Sequence, residues 1–256
     1  VGDDEETVGE SRSRTSLNLP GNQQRLVEEL YATGKPVVVV LINGRAMTIN
    51  WINKYVPAVL DGWFQGQYGG SAIADVLVGN YSPGGRLPIS FPKTVGQLPM
   101  NFPSKPGAQA NQPQGGANGA GNTRVNGFLY PFGYGLSYTT FDYSNLEVDK
   151  TNLSSGIAAK VKVQVKNTGK VKGDEVVQLY FADMVSSVTV YEKQLRGFER
   201  ISLEPGQTKT VEFELTREDL SLYNRDMDFV LEPGDFEIMI GSSSEDIRLK
   251  ELVNIQ

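Results

Sequence analysis

The stretch that decides the fold is residues 69–92, GGSAIADVLVGNYSPGGRLPISFP. Apolar residues recur at helical spacing in its first half, and Gly79 is a typical stop, so this half predicts a short amphipathic helix. A Ser-Pro-Gly-Gly turn follows at 82–85, and the apolar residues 87–91 predict a buried strand that runs into Pro92. Helix, turn and strand in this order are typical of an α/β layer.

The same alternation extends toward the start of the chain. Apolar residues recur at helical spacing within residues 26–31, and Gly34 followed by Pro36 ends that helix. The continuous β-branched run 37–42 is typical of a parallel strand that is covered on both faces, and residues 58–60 predict a second short strand. Strands and helices that alternate over roughly 90 residues predict an α/β architecture with helices packed on the sheet.

The pattern changes after residue 141, where apolar and polar residues alternate. Val161, Val163 and Val165 point to one face, with lysines and a glutamine between them. Short strands at this spacing, separated by Asn-Thr-Gly and Glu-Pro-Gly turns, predict an antiparallel immunoglobulin-like β-sandwich. The further predicted strands are residues 176–181, 195–201, 210–215 and 236–240.

These patterns predict an α/β plus all-β fold in three segments. Residues 1–104 form part of an α/β-sandwich domain, 105–140 a Gly/Asn-rich loop and aromatic linker, and 141–256 a β-sandwich. Within the linker, residues 105–127 are rich in Gly, Asn, Gln and Pro without apolar periodicity. Such a composition buries too little surface to offset its ordering, so we expect this loop to be mobile and dispensable for folding.

The composition of the 256-residue chain excludes several kinds of chemistry. It has no cysteine, which excludes disulfides, thiolate nucleophiles and zinc–cysteine sites. It has no histidine, which excludes a Ser-His-Asp triad and the commonest metal ligand. Carboxylate chemistry, oxygen-ligated cations or pure binding remain within this chain.

The charge pattern argues against two classes of partner. Net charge is −6, and the lysines and arginines are scattered, whereas nucleic-acid binding favours a clustered basic surface. No run approaches the roughly 20 apolar residues that span a membrane. The N-terminus also lacks a secretory signal, but Val1-Gly2-Asp3 looks like the end of a strand. We therefore expect the true N-terminus to lie elsewhere.

Residues 69–92, together with LYPFGYGLSY at 129–138, closely resemble glycoside hydrolase family 3. The resemblance is to the β-glucosidase type, which has a C-terminal α/β-sandwich and a fibronectin type III-like domain. It runs essentially from Val1 to Gln256 and implies that the chain corresponds to the back third of an enzyme. It further implies a retaining, exo-acting β-glucosidase without a cofactor or metal, located in the periplasm or secreted.

The polar head, residues 1–14 (VGDDEETVGESRSR), carries the candidate site. Composition alone indicates a solvated acidic loop. In the family, a loop Glu is followed by a Ser/Arg stretch and then by Leu-x-Leu-Pro, and here this order is Glu10, residues 11–14 and residues 17–20. The resemblance therefore implies that Glu10 is the general acid/base. A carboxyl group suits that role, since it can protonate a glycosidic oxygen and then deprotonate a water.

Other residues of this loop have less specific roles. The acidic residues Asp4, Glu5 and Glu6 are rivals to Glu10, and they rank lower on their spacing to residues 17–20.

Arg12 or Arg14 could hold the loop or tune the pKa of Glu10, and each could equally be a plain surface arginine. Asp3 lies where the family often has another acid. A substrate contact and a loop anchor are both open for it, with the anchor favoured.

The second catalytic group has no counterpart in this chain. A retaining mechanism needs a nucleophilic carboxylate about 5–5.5 Å from the acid/base. The resemblance assigns that group to an Asp in an N-terminal barrel, so we expect a barrel partner, as a separate chain or as the rest of one polypeptide. Without it, this chain should have no glycosidase activity. A homodimer remains open.

Several functions fit these observations. The first is removal of terminal β-linked glucose from oligosaccharides, with β-xylosides as the nearest rival substrates. A non-catalytic carbohydrate-binding or adhesion module is the alternative, since an immunoglobulin-like sandwich hosts many binding roles. The loop at residues 183–191 could also reach an active site.

Overall fold

The computed structural model describes residues 1–107, 125, 127–149 and 156–255. The chain divides into two compact units. Unit 1 comprises Val1–Tyr81, Ile89–Met100 and Pro113–Tyr130, and unit 2 comprises Ser82–Pro88, Asn101–Gln112 and Pro131–Gln256. Each unit has its own hydrophobic core. The expected mobility of residues 105–127 concerns a segment that lies mostly outside the described residues, and the predicted segment boundaries stay predictions.

Unit 1 has the predicted α/β order. Its elements are α1 (Gln23–Ala32), β1 (Val38–Leu41), α2 (Asn50–Tyr55), β2 (Ala58–Asp61) and α3 (Gly69–Leu77). The two strands pair in parallel, from Val38 opposite Ala58 to Leu41 opposite Asp61. A core of Leu41, Met47, Ile49 and Ile52 is almost fully buried beside them.

The start of the chain continues this sheet on the other side of β1. Gly2 forms a parallel bridge with Ile42, and the backbone N–H of Asp3 donates to Ile42 O at 2.8 Å. Only glycine fits at position 2, because its φ is +145° and a Cβ atom would lie 1.9 Å from Ile42 O. The chain therefore places Asp3 just beyond the C-terminal end of β1.

The prediction of a strand over residues 87–91 is wrong. Among the described residues of unit 1, Phe91 forms an isolated antiparallel bridge with Tyr130 and no longer ladder. Pro88 and Pro92 have no amide hydrogen, so they cannot donate to a continuous ladder. The stretch bends at Pro88 and Ile89 and forms no strand of the parallel sheet.

Unit 2 is the predicted β-sandwich. One sheet has the order β11-β10-β5-β6 and the other β3-β4-β7. Val161, Val163 and Val165 of β4 have no exposed surface, which confirms the alternation. The strands are β3 (Phe141–Asp149), β4 (Ile157–Asn167), β5 (Gly173–Asp183), β6 (Gln194–Leu203), β7 (Thr208–Thr216), β8 (Leu222–Tyr223), β9 (Phe229–Val230), β10 (Gly234–Gly241) and β11 (Ile247–Ile255).

A buried polar cluster lies inside unit 2. Arg86 Nη2 lies 2.8 Å from Glu175 Oε2, and both side chains are less than a tenth exposed. The hydroxyl of Tyr143 donates to Glu175 Oε1 at 2.8 Å. Burial, followed by the neighbouring charge of Glu175, raises the pKa of Tyr143 well above its usual range. The phenol therefore stays protonated and keeps donating to the carboxylate.

Candidate active-site loop

Residues 3–14 form a compact loop beyond the C-terminal end of the parallel strands. Two consecutive turns build it: Val8 N donates to Asp4 O at 3.1 Å, and Arg12 N donates to Gly9 O at 3.2 Å. Glu10 lies in the second turn between two residues of positive φ, Gly9 at +126° and Ser11 at +60°. This backbone presents Glu10 at the exposed tip of the loop.

The carboxyl group of Glu10 is exposed to solvent. Within residues 1–107 and the other described parts of the chain, the Glu10 side chain makes no hydrogen bond or ion pair. The side chains of Glu5, Glu6 and Arg12 are exposed as well. The geometry therefore leaves Glu10 accessible to a ligand, and it does so for Glu5 and Glu6 too.

Asp4 differs from the other acids because it organises the first turn. Its Oδ1 accepts hydrogen bonds from the backbone of Glu6 (3.1 Å), the backbone of Thr7 (3.0 Å) and the Thr7 hydroxyl (2.9 Å). The hydrogen bond from the Thr7 side chain lowers the pKa of Asp4. A lowered pKa disfavours a general acid, which must hold a proton at the working pH. Asp4 thus suits a turn anchor better than an acid.

Asp3 is the buried anchor of the loop. Its side chain has no exposed surface, and Oδ1 accepts from Arg14 Nη1 at 2.9 Å. The same Oδ1 lies 3.2 Å from the Thr7 hydroxyl, whose single hydrogen it shares with the nearer Asp4 Oδ1. Arg45 Nε lies 3.6 Å from Asp3 Oδ2. These partners are those of a loop anchor, and a substrate contact by Asp3 stays a prediction.

Arg14 connects this anchor to the segment that follows the loop. Its Nη2 donates to Asn18 O at 2.7 Å while Nη1 binds Asp3. Leu17 and Leu19 on either side of Asn18 are buried. The Leu-x-Leu-Pro segment is therefore fixed to the unit 1 core, and Arg14 ties the loop to it.

Sequence reasoning missed Arg45, which follows β1. Its Nη2 donates to Thr7 O at 2.8 Å and to Arg12 O at 3.1 Å, one carbonyl on each side of Glu10. The neighbouring Gly44 lies against the loop, since a Cβ atom there would approach Val8 Cγ2 to 2.6 Å. The available signal was its position, because functional residues collect just beyond the carboxyl ends of parallel strands.

Two further polar residues at this sheet edge were also missed. Asp61, the last residue of β2, accepts from Trp63 N at 3.1 Å, and Asn43 Nδ2 donates to Arg45 O at 2.8 Å. Burial raises the pKa of Asp61. Among the described residues, neither Asp61 Oδ2 nor Asn43 Oδ1 finds a hydrogen-bond donor. The Asn43 side chain lies close enough to Asp61 to oppose the effect of burial on its pKa.

Metal binding and membrane insertion are two further possibilities for the described part of the chain. Its residues contain no group of three or more acidic side chains placed to hold a metal ion, and none of its helices is long and apolar enough to cross a membrane. The loop after β5, which the sequence singled out as residues 183–191, lines an open recess of about 590 Å³ in unit 2 together with Pro106 and Arg225. Its reach toward an active site stays a prediction.

Comparisons with known proteins match both units. The glycosyl hydrolase family 3 C-terminal domain matches residues 1–138, and a fibronectin type III-like domain matches residues 175–244. A β-xylosidase from Formosa agariphila is 45% identical over 98% of this chain and 34% of its own length. A periplasmic β-glucosidase from Salmonella typhimurium is 41% identical over 97% of this chain and 33% of its own.

A solved structure supports the same relationship. The β-glucosidase from Listeria innocua in complex with glucose superposes with a TM-score of 0.90 at 36% identity, over 99% of this chain and 35% of that one. The chain thus spans about a third of the length of the relatives it matches. The α/β plus β-sandwich fold and the resemblance carried by residues 69–92 and 129–138 are confirmed. The chain belongs to glycosyl hydrolase family 3, where it corresponds to the C-terminal part of its relatives.

Proposed function

We propose that this chain is the C-terminal part of a retaining exo-acting β-glucosidase, in which Glu10 is the general acid/base. The observation that carries the proposal is the loop of residues 3–14, which holds an exposed carboxyl group at its tip while its base is fixed by the buried Asp3. Relatives described as β-glucosidases support the substrate class.

In this proposal, Glu10 acts twice. It first donates its proton to the glycosidic oxygen while a nucleophilic carboxylate attacks the anomeric carbon, so that the C–O bond breaks and the aglycone leaves as an alcohol. The resulting carboxylate of Glu10 then takes a proton from the water that attacks the glycosyl-enzyme, which releases glucose and restores the protonated acid. Chemistry of this kind needs no metal and no cofactor from the chain.

The nucleophile is proposed to come from an N-terminal barrel, as part of the same polypeptide or of a partner chain. Relatives roughly three times the length of this chain support the presence of such a segment. We also propose a periplasmic or secreted location, supported by the periplasmic relative from Salmonella typhimurium.

A β-xyloside is the second candidate substrate. The relative from Formosa agariphila that is 45% identical to this chain is described as a β-xylosidase. Comparing kcat/KM for aryl β-glucosides and aryl β-xylosides in the complete enzyme separates the two. A larger kcat/KM for the glucoside supports the proposal. A larger kcat/KM for the xyloside would make the enzyme a β-xylosidase instead.

The role of Glu10 is tested by the variant Glu10→Gln in the complete enzyme. Acid/base assistance contributes roughly 10²–10⁴-fold, so activity on glucosides with poor leaving groups should fall within about that range. Glucosides with activated phenol leaving groups need little protonation and should lose less in the first step. The matched control is Glu6→Gln, an exposed acid of the same loop.

Equal losses across leaving groups would contradict the role of Glu10. Leaving-group dependence in Glu6→Gln or Glu5→Gln instead would transfer the role to that residue. If none of the loop acids shows it, the carbohydrate-binding or adhesion module becomes the better account.

A further inference from the structure

We propose that Arg45 is a positioning residue for Glu10, which it acts on through the backbone of the loop. This inference rests on the proposed function of Glu10. Among the described residues, Arg45 forms no hydrogen bond or ion pair with the Glu10 side chain. It binds the backbone on both sides of Glu10, at Thr7 and Arg12.

The first support is the way in which Arg45 is held. It follows β1 in the turn Asn43-Gly44-Arg45, and Asn43, with no exposed surface, donates from Nδ2 to Arg45 O at 2.8 Å. Met47, two residues further on, is also fully buried. The backbone of Arg45 is therefore held by buried residues of unit 1, whereas Glu10 lies on an exposed loop.

The second support is the position of the two accepting carbonyls. Thr7 precedes Glu10 by three residues and Arg12 follows it by two, and both oxygens accept from the same nitrogen, Arg45 Nη2, at 2.8 and 3.1 Å. One guanidinium group thus joins the backbone of Thr7 to the backbone of Arg12, on the two sides of Glu10. Hydrogen bonds from a charged donor are stronger than those between neutral groups, so this contact restrains the loop on both sides at once.

The third support is the buried counter-charge. Arg45 Nε lies 3.6 Å from Asp3 Oδ2, and the Asp3 side chain has no exposed surface. Asp3 is itself fixed to the sheet, since its N–H donates to Ile42 O at 2.8 Å. Neither Arg45 Nε nor Asp3 Oδ2 has a hydrogen-bond partner among the described residues, so the two groups attract each other by charge alone. Asp3 thus links the parallel strands to Arg45 by this ion pair, and Arg45 binds the loop that carries Glu10 by its two hydrogen bonds.

This connection has a catalytic consequence. A displacement of about 1 Å in a catalytic group can cost roughly 100-fold in rate. Replacing Arg45 by Met keeps most of the aliphatic stem and removes every donor. We expect Arg45→Met to lower kcat on glucosides with poor leaving groups by about 10- to 100-fold, with a smaller loss on activated aryl glucosides and little change in KM.

The decisive experiment is a double-mutant cycle in the complete enzyme with Arg45→Met, Glu10→Gln and the combined variant, each assayed on both classes of leaving group. If Arg45 acts through Glu10, its substitution should cost less than about threefold once Glu10 is already replaced, because residues that act as a unit are strongly non-additive. The matched control is Arg25→Met, since Arg25 is an exposed arginine of α1 in the same unit. This substitution should leave kcat unchanged on both classes of leaving group.

The outcomes separate the two ideas. If Glu10→Gln shows leaving-group dependence but Arg45→Met costs the same factor in both backgrounds, the positioning role is overturned and the proposed function stands. If Glu10→Gln shows no such dependence, the proposed function falls and this inference falls with it. Should Arg45→Met fail to fold, Arg45→Lys replaces it in the cycle, because it keeps a positive charge beside Asp3 but cannot present the planar guanidinium donors.

Discussion

Arg14 and Asp3 form an ion pair in which Nη1 and Oδ1 are 2.9 Å apart and the carboxylate side chain has no exposed surface. This pair joins the start of the loop to its end, eleven residues later in the chain. The acidic stretch, whose composition alone indicates a solvated loop, is therefore fixed to unit 1 at both ends.

The first prediction concerns this anchor. Replacing Asp3 by Asn keeps the shape but leaves Arg14 and Arg45 without their counter-charge. Breaking a buried ion pair costs roughly 3–5 kcal/mol, and because both arginines retain some exposure we expect about 3 kcal/mol less stability. Urea unfolding of this chain followed by tryptophan fluorescence measures it, since both tryptophans, Trp51 and Trp63, belong to unit 1.

The matched control for that experiment is Asp4→Asn. Asp4 is exposed, and Asn keeps the Oδ1 acceptor that the turn requires. We expect Asp4→Asn to lower the free energy of unfolding by less than about 1 kcal/mol. If the two variants lose equal stability, Asp3 does not anchor the loop.

The second prediction concerns the pH dependence of Asp61→Asn. Burial raises the pKa of Asp61 in the folded chain above its unfolded value near 3.9. Ionisation therefore costs the folded state nothing below about pH 4, and the cost grows as pH rises through the folded pKa. Asn cannot ionise and still offers an oxygen to Trp63 N. The free energy of unfolding of Asp61→Asn, relative to that of the wild type, should therefore increase from pH 4 to pH 7.

The measurement is the urea midpoint of both proteins at these two pH values, again by tryptophan fluorescence. Asp75→Asn, at an exposed position on α3, is the control and should show no such trend. An advantage of Asp61→Asn that is larger at pH 4 than at pH 7 would have the wrong sign and would refute the raised pKa.

The third prediction concerns unit 2. Tyr143→Phe removes the hydroxyl that donates to Glu175 and leaves that carboxylate with its ion pair to Arg86 and the nearby charge of Arg248. A hydrogen bond to a charged group contributes about 1.5–3 kcal/mol, so we expect a loss of that size. Far-UV circular dichroism during urea unfolding measures it. Tyr223→Phe, at a position that is 60% exposed, should change stability by less than about 0.5 kcal/mol, and an equal loss there would contradict the account.

Local patterns predicted the framework of both units, and their failures have physical causes. The alternation at Val161, Val163 and Val165 predicted the sandwich, because burial repeats every second residue in a strand with one face toward the core. The stretch 87–91 has a strand-like composition, but Pro88 and Pro92 remove the amide donors that a ladder requires.

The candidate site was harder to predict because its supports are distant in sequence. Arg45 lies 33 residues from Arg12 and 38 from Thr7. An arginine in a turn is usually a solvent-exposed residue without structural contacts. The burial of Asp3 depends on the parallel bridge between Gly2 and Ile42, which no local pattern encodes. The assignment of Glu10 as the acid/base came from the family resemblance and stays a prediction.

Azide rescue of Glu10→Gln in the complete enzyme tests the central claim most directly. With an activated aryl β-glucoside, the first step needs little acid assistance, but the glycosyl-enzyme should accumulate because water lacks its base. Azide needs no base, so adding it should restore turnover and yield β-glucosyl azide, while Glu6→Gln should give only glucose. No acceleration by azide and no β-glucosyl azide from Glu10→Gln would contradict the assignment of Glu10 as the general acid/base.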